Sequence, residues 1–387
     1  MTVRQTPAVE RAAFAALLGL VAVVYFSIAA AGVLLGVTLL AWIAAVVTGR
    51  ERVALPAIAW PLAAYVAWTL VAIAFSRDPA ASLTDQRELL LFLIVPAVYR
   101  LARGARALTV LDVLISIGAL SAVVGIVQYG ILSYDTLGRR PQGTLGHYMT
   151  YSGTLMLVIG AAVARVLFRK ENRTWPALVI PALAVALVFT FSRNAWVGAC
   201  VAIGLLFMLK DLRLLGLLPV IAAVFFALAP SALTARVYSM FNRNDPTNRD
   251  RVAMVDAGVR IVRDHPLTGV GPDMVIRVYP DYRAADAVEP IQPHLHNVPL
   301  QIAAERGLPA LAAWLWFVVL LGRDLLRLLR KGPYPSLAAA GLAALAAMLA
   351  AGLFEYNFGD SEFLIPFLVL ATLPYAAAVP ASEPAAA

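Results

Sequence analysis

MTVRQTPAVERAAFAALLGLVAVVYFSIAAAG, Met1 to Gly32, carries two arginines, then an apolar run, then small residues. That is the outline of a secretory signal peptide, which cleavage would remove from the mature fold. It is also the outline of a first membrane span. Two observations favour the span. A second apolar run, 31–48, follows the first, 12–28, almost without a break. The charges of the later loops also alternate as they should if the first span stays in place.

Working outward from this stretch, the same texture recurs along the chain. A helix needs about 20 apolar residues to cross a hydrocarbon core ~30 Å thick. About twelve runs approach that length: 12–28, 31–48, 54–75, 86–100, 107–132, 148–168, 175–192, 194–209, 212–230, 300–321, 335–354 and 361–379. Of the 387 residues, 61% are hydrophobic and only 14% charged, against roughly 25% charged in soluble domains. These features predict an all-α polytopic membrane protein. Its parts are 1–230 with nine transmembrane helices, a large loop over 231–299 with short helices, and 300–387 with three helices and a short tail. Cys200 is the one cysteine and lies inside an apolar run, so neither a disulfide framework nor a cysteine metal site can form.

The net charge is +8 and the pI about 9.8. In a soluble protein this would suggest nucleic acid. Here the basic residues gather in alternate loops, so membrane lipids are expected as partners and nucleic acid is not. One set of loops holds Arg4 and Arg11; Arg50 and Arg52; Arg100, Arg103 and Arg106; Arg169, Lys170 and Arg173; Lys210 and Arg213; and Arg323, Arg327, Arg330 and Lys331. The other short loops hold only Arg77, Arg87, Arg139, Arg140 and Arg193. The positive-inside rule puts the first set and both termini in the cytoplasm. The loop 231–299 then falls on the opposite side, which in a bacterial inner membrane is the periplasm. Mid-span charge reads as nearly absent, with Glu88, Arg165 and Glu355 near the ends of their runs. A transporter would place ionisable groups at mid-membrane. The pattern favours a site at the outer membrane–water boundary.

Within the loop, Asn248 or Asp250 is positioned to cap a helix over 251–264. Val252, Val255, Val259 and Val262 share one face of it, with Arg251, Arg260, Arg263 and Asp264 mostly elsewhere. Such a helix suits the interface plane. HPLTGVGP, residues 265–272, ends it with Pro266 as breaker and Gly269 and Gly271 as turn formers. Three further segments share this side by parity. GRRPQGTLGHYMTYSG (138–153) carries Arg139, Arg140 and His147. FSRNAWVG (191–198) wedges Arg193 between two apolar runs. EYNFGDSEF (355–363) carries Glu355, Asp360 and Glu362.

A lipid-linked diphosphate has chemistry that needs these residues. Breaking its sugar–phosphate bond leaves a diphosphate of growing negative charge. Arginine holds phosphate oxygens through a planar fork and stays charged. Arg193, Arg251 and Arg140 are the candidates. An acceptor hydroxyl also needs a base, and histidine suits that role. His296 precedes a span, and its neighbour Asn297 is placed to orient it. His294 lies two residues earlier, and a helix start between the two would point them apart. Asp360 and Glu362 are the remaining candidate substrate contacts. The histidines form no His-x-x-x-His pair and no Asp-x-Asp occurs, so no metal is expected. GVGPD is a lone glycine turn, which excludes a dinucleotide fingerprint.

HNVPLQIAAERGLP, residues 296–309, resembles the signature of the O-antigen ligase and polymerase superfamily. There a histidine and an Asn, Ser or Gln are followed by nine residues and a glycine. Here His296 and Asn297 lead across nine residues to Gly307; Ala310 stands where a second glycine is common. RVAMVDAGVRIVRDHPLTGVGP, residues 251–272, is similar to the segment that precedes that histidine, with Arg251 at the arginine position. FSRNAW is similar to the family's arginine at a span junction. The resemblance runs from about Arg139 onward. It implies a GT-C-like, inverting, metal-independent glycosyltransferase without cofactors. The implied donor is a glycan on undecaprenyl diphosphate, and in the ligase branch the acceptor is lipid A–core. By the same likeness His296 activates the acceptor, and Arg193 and Arg251 hold the diphosphate. An O-antigen polymerase and a protein oligosaccharyltransferase are the alternatives within the superfamily; a lipid-linked glycan transporter is the alternative outside it.

Overall fold

In the computed structural model, residues 8–47, 54–284 and 287–379 are described. Arg4, Arg50 and Arg52 of the basic loops lie outside them. Among the described residues the regular structure is helical: α1 (Ala8–Val23), α2 (Ile28–Val47), α3 (Ala59–Ala74), α4 (Pro79–Asp85), α5 (Ile94–Leu101), α6 (Arg106–Gly130), α7 (Tyr148–Phe168), α8 (Thr174–Phe189), α9 (Arg193–Lys210), α10 (Leu217–Leu228), α11 (Ser231–Tyr238), α12 (Pro246–Asp264), α13 (Val275–Tyr282), α14 (Val298–Lys331), α15 (Pro335–Ala351) and α16 (Ser361–Ala378). By length and composition α6, α7, α9, α14 and α16 can each cross a membrane. The shorter apolar helices include α3, α8 and α15. The protein is an all-α polytopic membrane protein. The predicted run 86–100 is not one α-helix: Gln86–Leu93 forms a three-ten helix that leads into α5. Polar ties hold this stretch, from Ser361 Oγ to Glu88 at 3.0 Å and from Arg306 to Gln86 at 2.9 Å.

The centre of the bundle is α15, which packs on α7, α9, α14 and α16. Its sequence, PSLAAAGLAALAAMLAA, explains why. Lipid tails are as apolar as any side chain, so helices associate by close packing, and small residues let backbones approach. Gly198 of α9 shows the same device: a Cβ there would sit 3.0 Å from the Ala347 carbonyl and 2.6 Å from Met156 Sδ.

The long loop has its own small core. Met254, Ala257 and Ile261 of α12 pack with Val270, Met274, Val275, Val278, Tyr279, Leu295 and Ala304. The α12 helix starts earlier than expected. Asp245 is its cap, accepting from the Asn248 N–H, and Pro246 takes the first turn, where a missing N–H costs nothing. The buried face is Asp250, Ala253, Met254, Ala257, Gly258 and Ile261. Val252, Val255 and Val259 lie on the exposed side.

A break in α14 ties this loop to the bundle. Gly307 has φ +79° and ψ 172° inside an otherwise helical stretch. The break and Pro309 deprive the carbonyls of Ala304 and Glu305 of their usual helical donors. The loop supplies replacements: the Val270 N–H bonds Ala304 at 2.9 Å and the Gly271 N–H bonds Glu305 at 3.0 Å. The Leu308 N–H in turn bonds the Pro266 carbonyl at 2.8 Å. A Cβ on Gly307 would lie 1.9 Å from the Leu267 oxygen. Gly307→Ala is therefore expected to cost on the order of 3 kcal/mol or more, read as a lower melting temperature in detergent. Glu305 and Arg306 flank the break, buried and paired at 2.7 Å. This pair lies within the run 300–321 and is tolerated because its charges satisfy each other and Gln86.

Candidate active site

The α14 helix starts after both histidines rather than between them. Asn297 is its cap: the side-chain oxygen accepts from the Leu300 N–H at 3.0 Å, and Nδ2 donates to the Leu353 carbonyl at 3.2 Å. His296, with φ +50°, adopts the left-handed conformation, which is uncommon for a residue with a side chain. The backbone turn brings the two rings together, centroids 4.2 Å apart, instead of pointing them away from each other. Both face Glu355, in the short α15–α16 connection. His294 Nε2 is 3.1 Å from Oε1 and His296 Nδ1 is 2.9 Å from Oε2. Glu355, rather than Asn297, holds the His296 ring. Burial opposes ionisation of this carboxyl, but the hydrogen bonds with His294 and His296 outweigh it. The carboxyl is held well below the usual carboxylate range.

His296 also opens onto a cavity of about 290 Å³ lined by Arg140, Arg193, Arg236, Arg251, Tyr148 and Gln292, among others. Four guanidiniums from four chain segments meet there. Arg193 stands in the first turn of α9 and is buried. Its partners, which the sequence alone did not reveal, are Asp245 at 3.4 Å and Ser239 Oγ at 3.1 Å. Arg140 lies over the Tyr148 ring, 4.2 Å from its centroid, and donates to the Leu137 carbonyl. Arg236 donates to the Phe191 carbonyl at 3.3 Å. Arg251 has a buried Nε without a hydrogen-bond partner among the described residues. Burial disfavours the charged forms of Arg140, Arg236 and Arg251, and the Arg193 charge adds to this; Arg236 is brought down to about 10. A cavity of crowded, partly desolvated cations favours an anion.

Asp360 and Glu362 lie apart from the arginines. Asp360 caps α16 through the Phe363 N–H at 3.1 Å and accepts from Thr150 Oγ1 at 2.6 Å. It lines a second polar pocket of about 180 Å³ with His294, Glu355, Asn194 and Asn357. Glu362 is half-buried in the first turn of α16, beside Asp360. Of the three acids in EYNFGDSEF, the one that meets the histidines is Glu355. Glu355 and Arg236 are the site residues that sequence reasoning did not select. For Glu355 the available signal was parity, which put the segment 355–363 on the same side as the histidines. Arg236 had only its place in the same loop.

An apolar groove adjoins the cavity, and a second groove adjoins the first. The first, of about 660 Å³, shares Arg251 and His296 with the cavity and adds Phe241, Val252, Val255, Leu353 and Phe354. The second, about 710 Å³, runs between α9, α14 and α15 and includes Val201, Leu205, Val298, Trp314, Leu349 and Leu353. Leu353 borders both.

The sequence model of one protein family, described as O-antigen ligase, matches residues 176–315. That span includes Arg193, Arg236, Arg251, both histidines and Gly307; Arg140 and Glu355 lie outside it. No curated protein matches the chain.

Proposed function

From the premise that residues 176–315 belong to the O-antigen ligase family, we propose that this protein transfers a glycan from undecaprenyl diphosphate to lipid A–core. The proposed setting is the bacterial inner membrane, with the site facing the periplasm, both termini cytoplasmic and a GT-C-like arrangement. The observation that carries the reading is the cavity that joins four arginines to a histidine whose far nitrogen is held by a carboxylate.

The roles follow from charge and tautomer. Ionised Glu355 accepts from the Nδ1–H of His296, which leaves Nε2 as the basic nitrogen. The acceptor oxygen attacks the anomeric carbon, and its proton passes to Nε2. The sugar–phosphate bond breaks on the opposite face, so the anomeric centre inverts. The departing diphosphate gathers charge beside Arg251, Arg193, Arg140 and Arg236, which need no reorganisation to meet it. The apolar groove lined by Arg251, His296 and Leu353, continued past Leu353 by the second, suits the prenyl chain of the donor.

The test is transfer by purified protein given carrier-linked glycan and lipid A–core. Glycan on the core supports the ligase. Elongated glycan on the carrier, formed when the core is withheld, points to a polymerase instead. Neither product, with labelled carrier crossing a liposome membrane, points to a transporter.

Glu355→Gln is expected to lower transfer by about 10²- to 10⁴-fold and to lower the melting temperature at neutral pH, because the variant loses the carboxylate that both histidines bond. A carboxamide offers one acceptor oxygen and one donor NH₂, so one imidazole is driven into the opposite tautomer. The native Glu355 carboxyl titrates below its unfolded value, so its contribution to stability is complete above the ordinary carboxylate range. That contribution is lost only as pH falls through the lower folded value. The gap in melting temperature between wild type and Glu355→Gln should therefore narrow as pH falls below the ordinary carboxylate range.

A further inference from the structure

His294, His296 and Glu355 offer three donor atoms that lie within 4.8 Å of one another. The two nitrogen–oxygen distances are 3.1 and 2.9 Å. A tetrahedral zinc ion with bonds of about 2.0–2.1 Å spaces its ligand atoms about 3.3 Å apart. The two bonds reach different oxygens of the carboxylate and the donor set spans up to 4.8 Å, so side-chain movements of up to about 1.5 Å convert the hydrogen-bonded cluster into a coordination sphere. The histidines are 30% and 19% exposed, so an ion can reach them from solvent. Two imidazoles and one carboxylate suit zinc, cobalt and nickel; magnesium and calcium prefer an all-oxygen shell.

We propose that His294, His296 and Glu355 form a binding site for a zinc-class divalent ion, and that the ion, once bound, silences the base. The second half rests on His296 acting as proposed above; the first half does not. Without metal, each histidine donates an N–H to Glu355, from Nε2 of His294 and Nδ1 of His296. The ion takes the lone pairs of those same nitrogens. Each displaced proton moves to the other nitrogen of its ring, so both imidazoles stay neutral and nothing is oxidised or reduced. In His296 the proton then sits on Nε2. That nitrogen has become a donor and can no longer take a proton from a hydroxyl. The guanidinium of Arg251 nearby opposes the ion, which sets the expected affinity on the order of micromolar, far below that of structural zinc sites.

The experiment is a Co²⁺ titration of the full-length protein in detergent, with any polyhistidine tag removed, followed by visible absorption. One equivalent of Co²⁺ should bind and be displaced by Zn²⁺, with millimolar Mg²⁺ having no effect. His294→Ala and Glu355→Gln should each weaken binding by about tenfold or more, while His147→Ala and His265→Ala leave it unchanged. Circular dichroism and size-exclusion elution equal to wild type ensure that lost binding is not lost folding. No one-equivalent band, or a band of equal affinity in His294→Ala and Glu355→Gln, overturns the site. This readout needs neither donor nor acceptor, so its outcome is separate from that of the transfer assay. Zn²⁺ at saturation should abolish transfer by wild type, and a chelator should restore it. Undiminished transfer with the site filled overturns the silencing.

Discussion

His296→Ala is expected to reduce glycan transfer by about 10²- to 10⁴-fold. The residue is the one histidine that both lines the arginine cavity and has its second nitrogen fixed by a carboxylate. Its left-handed backbone conformation is uncommon for a residue with a side chain, and the bond to Glu355 holds the ring in place. His294→Ala should cost less. It removes one of the two bonds to Glu355 but leaves the other, and with it the tautomer of His296. Initial rates with purified protein and saturating donor read the difference. Wild-type rates in His296→Ala would remove the base assignment, and equal losses in the two variants would mean that the histidines act as a pair.

Arg251→Ala is expected to lower transfer by about 10²- to 10³-fold. Its guanidinium is largely desolvated and keeps an Nε without a partner, so it has donors to spare for a phosphate. Arg251→Lys should recover only part of the loss, since an ammonium keeps the charge but not the planar fork. Arg193→Ala should also impair transfer, with a different signature. Arg193 anchors Ser239 and the capping Asp245 at the start of α12, so its loss should lower the melting temperature as well. Arg251→Ala should leave melting nearly unchanged. Full activity in both variants would sink the diphosphate clamp.

The apolar texture made the helices legible: each predicted run is helical, with three-ten starts in 86–100 and 212–230. The physical reason is that a run long enough to cross lipid must satisfy its backbone internally. Loop chemistry was partly legible, because Pro266, Gly269 and Gly271 punctuate the chain wherever they occur. Spacing alone did not reveal which polar groups meet. Glu355 and the histidines are 59 and 61 residues apart, and they touch because α14 and α15 pack as neighbours. Asn297 read as a partner for the ring, and the start of α14 makes it the cap. The Glu305–Arg306 pair was overlooked because the long apolar stretch after it keeps the mean hydropathy of the run that of a span.

The break at Gly307 also bears on how the chain is assembled. An α14 segment inserted alone would carry two carbonyls in want of donors at the edge of lipid, and every turn of an ordinary span avoids that condition. The missing donors come from Val270 and Gly271, which leave the ribosome before α14 does. Synthesis in the N-to-C direction thus presents the donors ahead of the helix that needs them. Rearranging the gene so that α14 is translated first would reverse that order. The helix would then wait, incompletely bonded, for its own preceding loop.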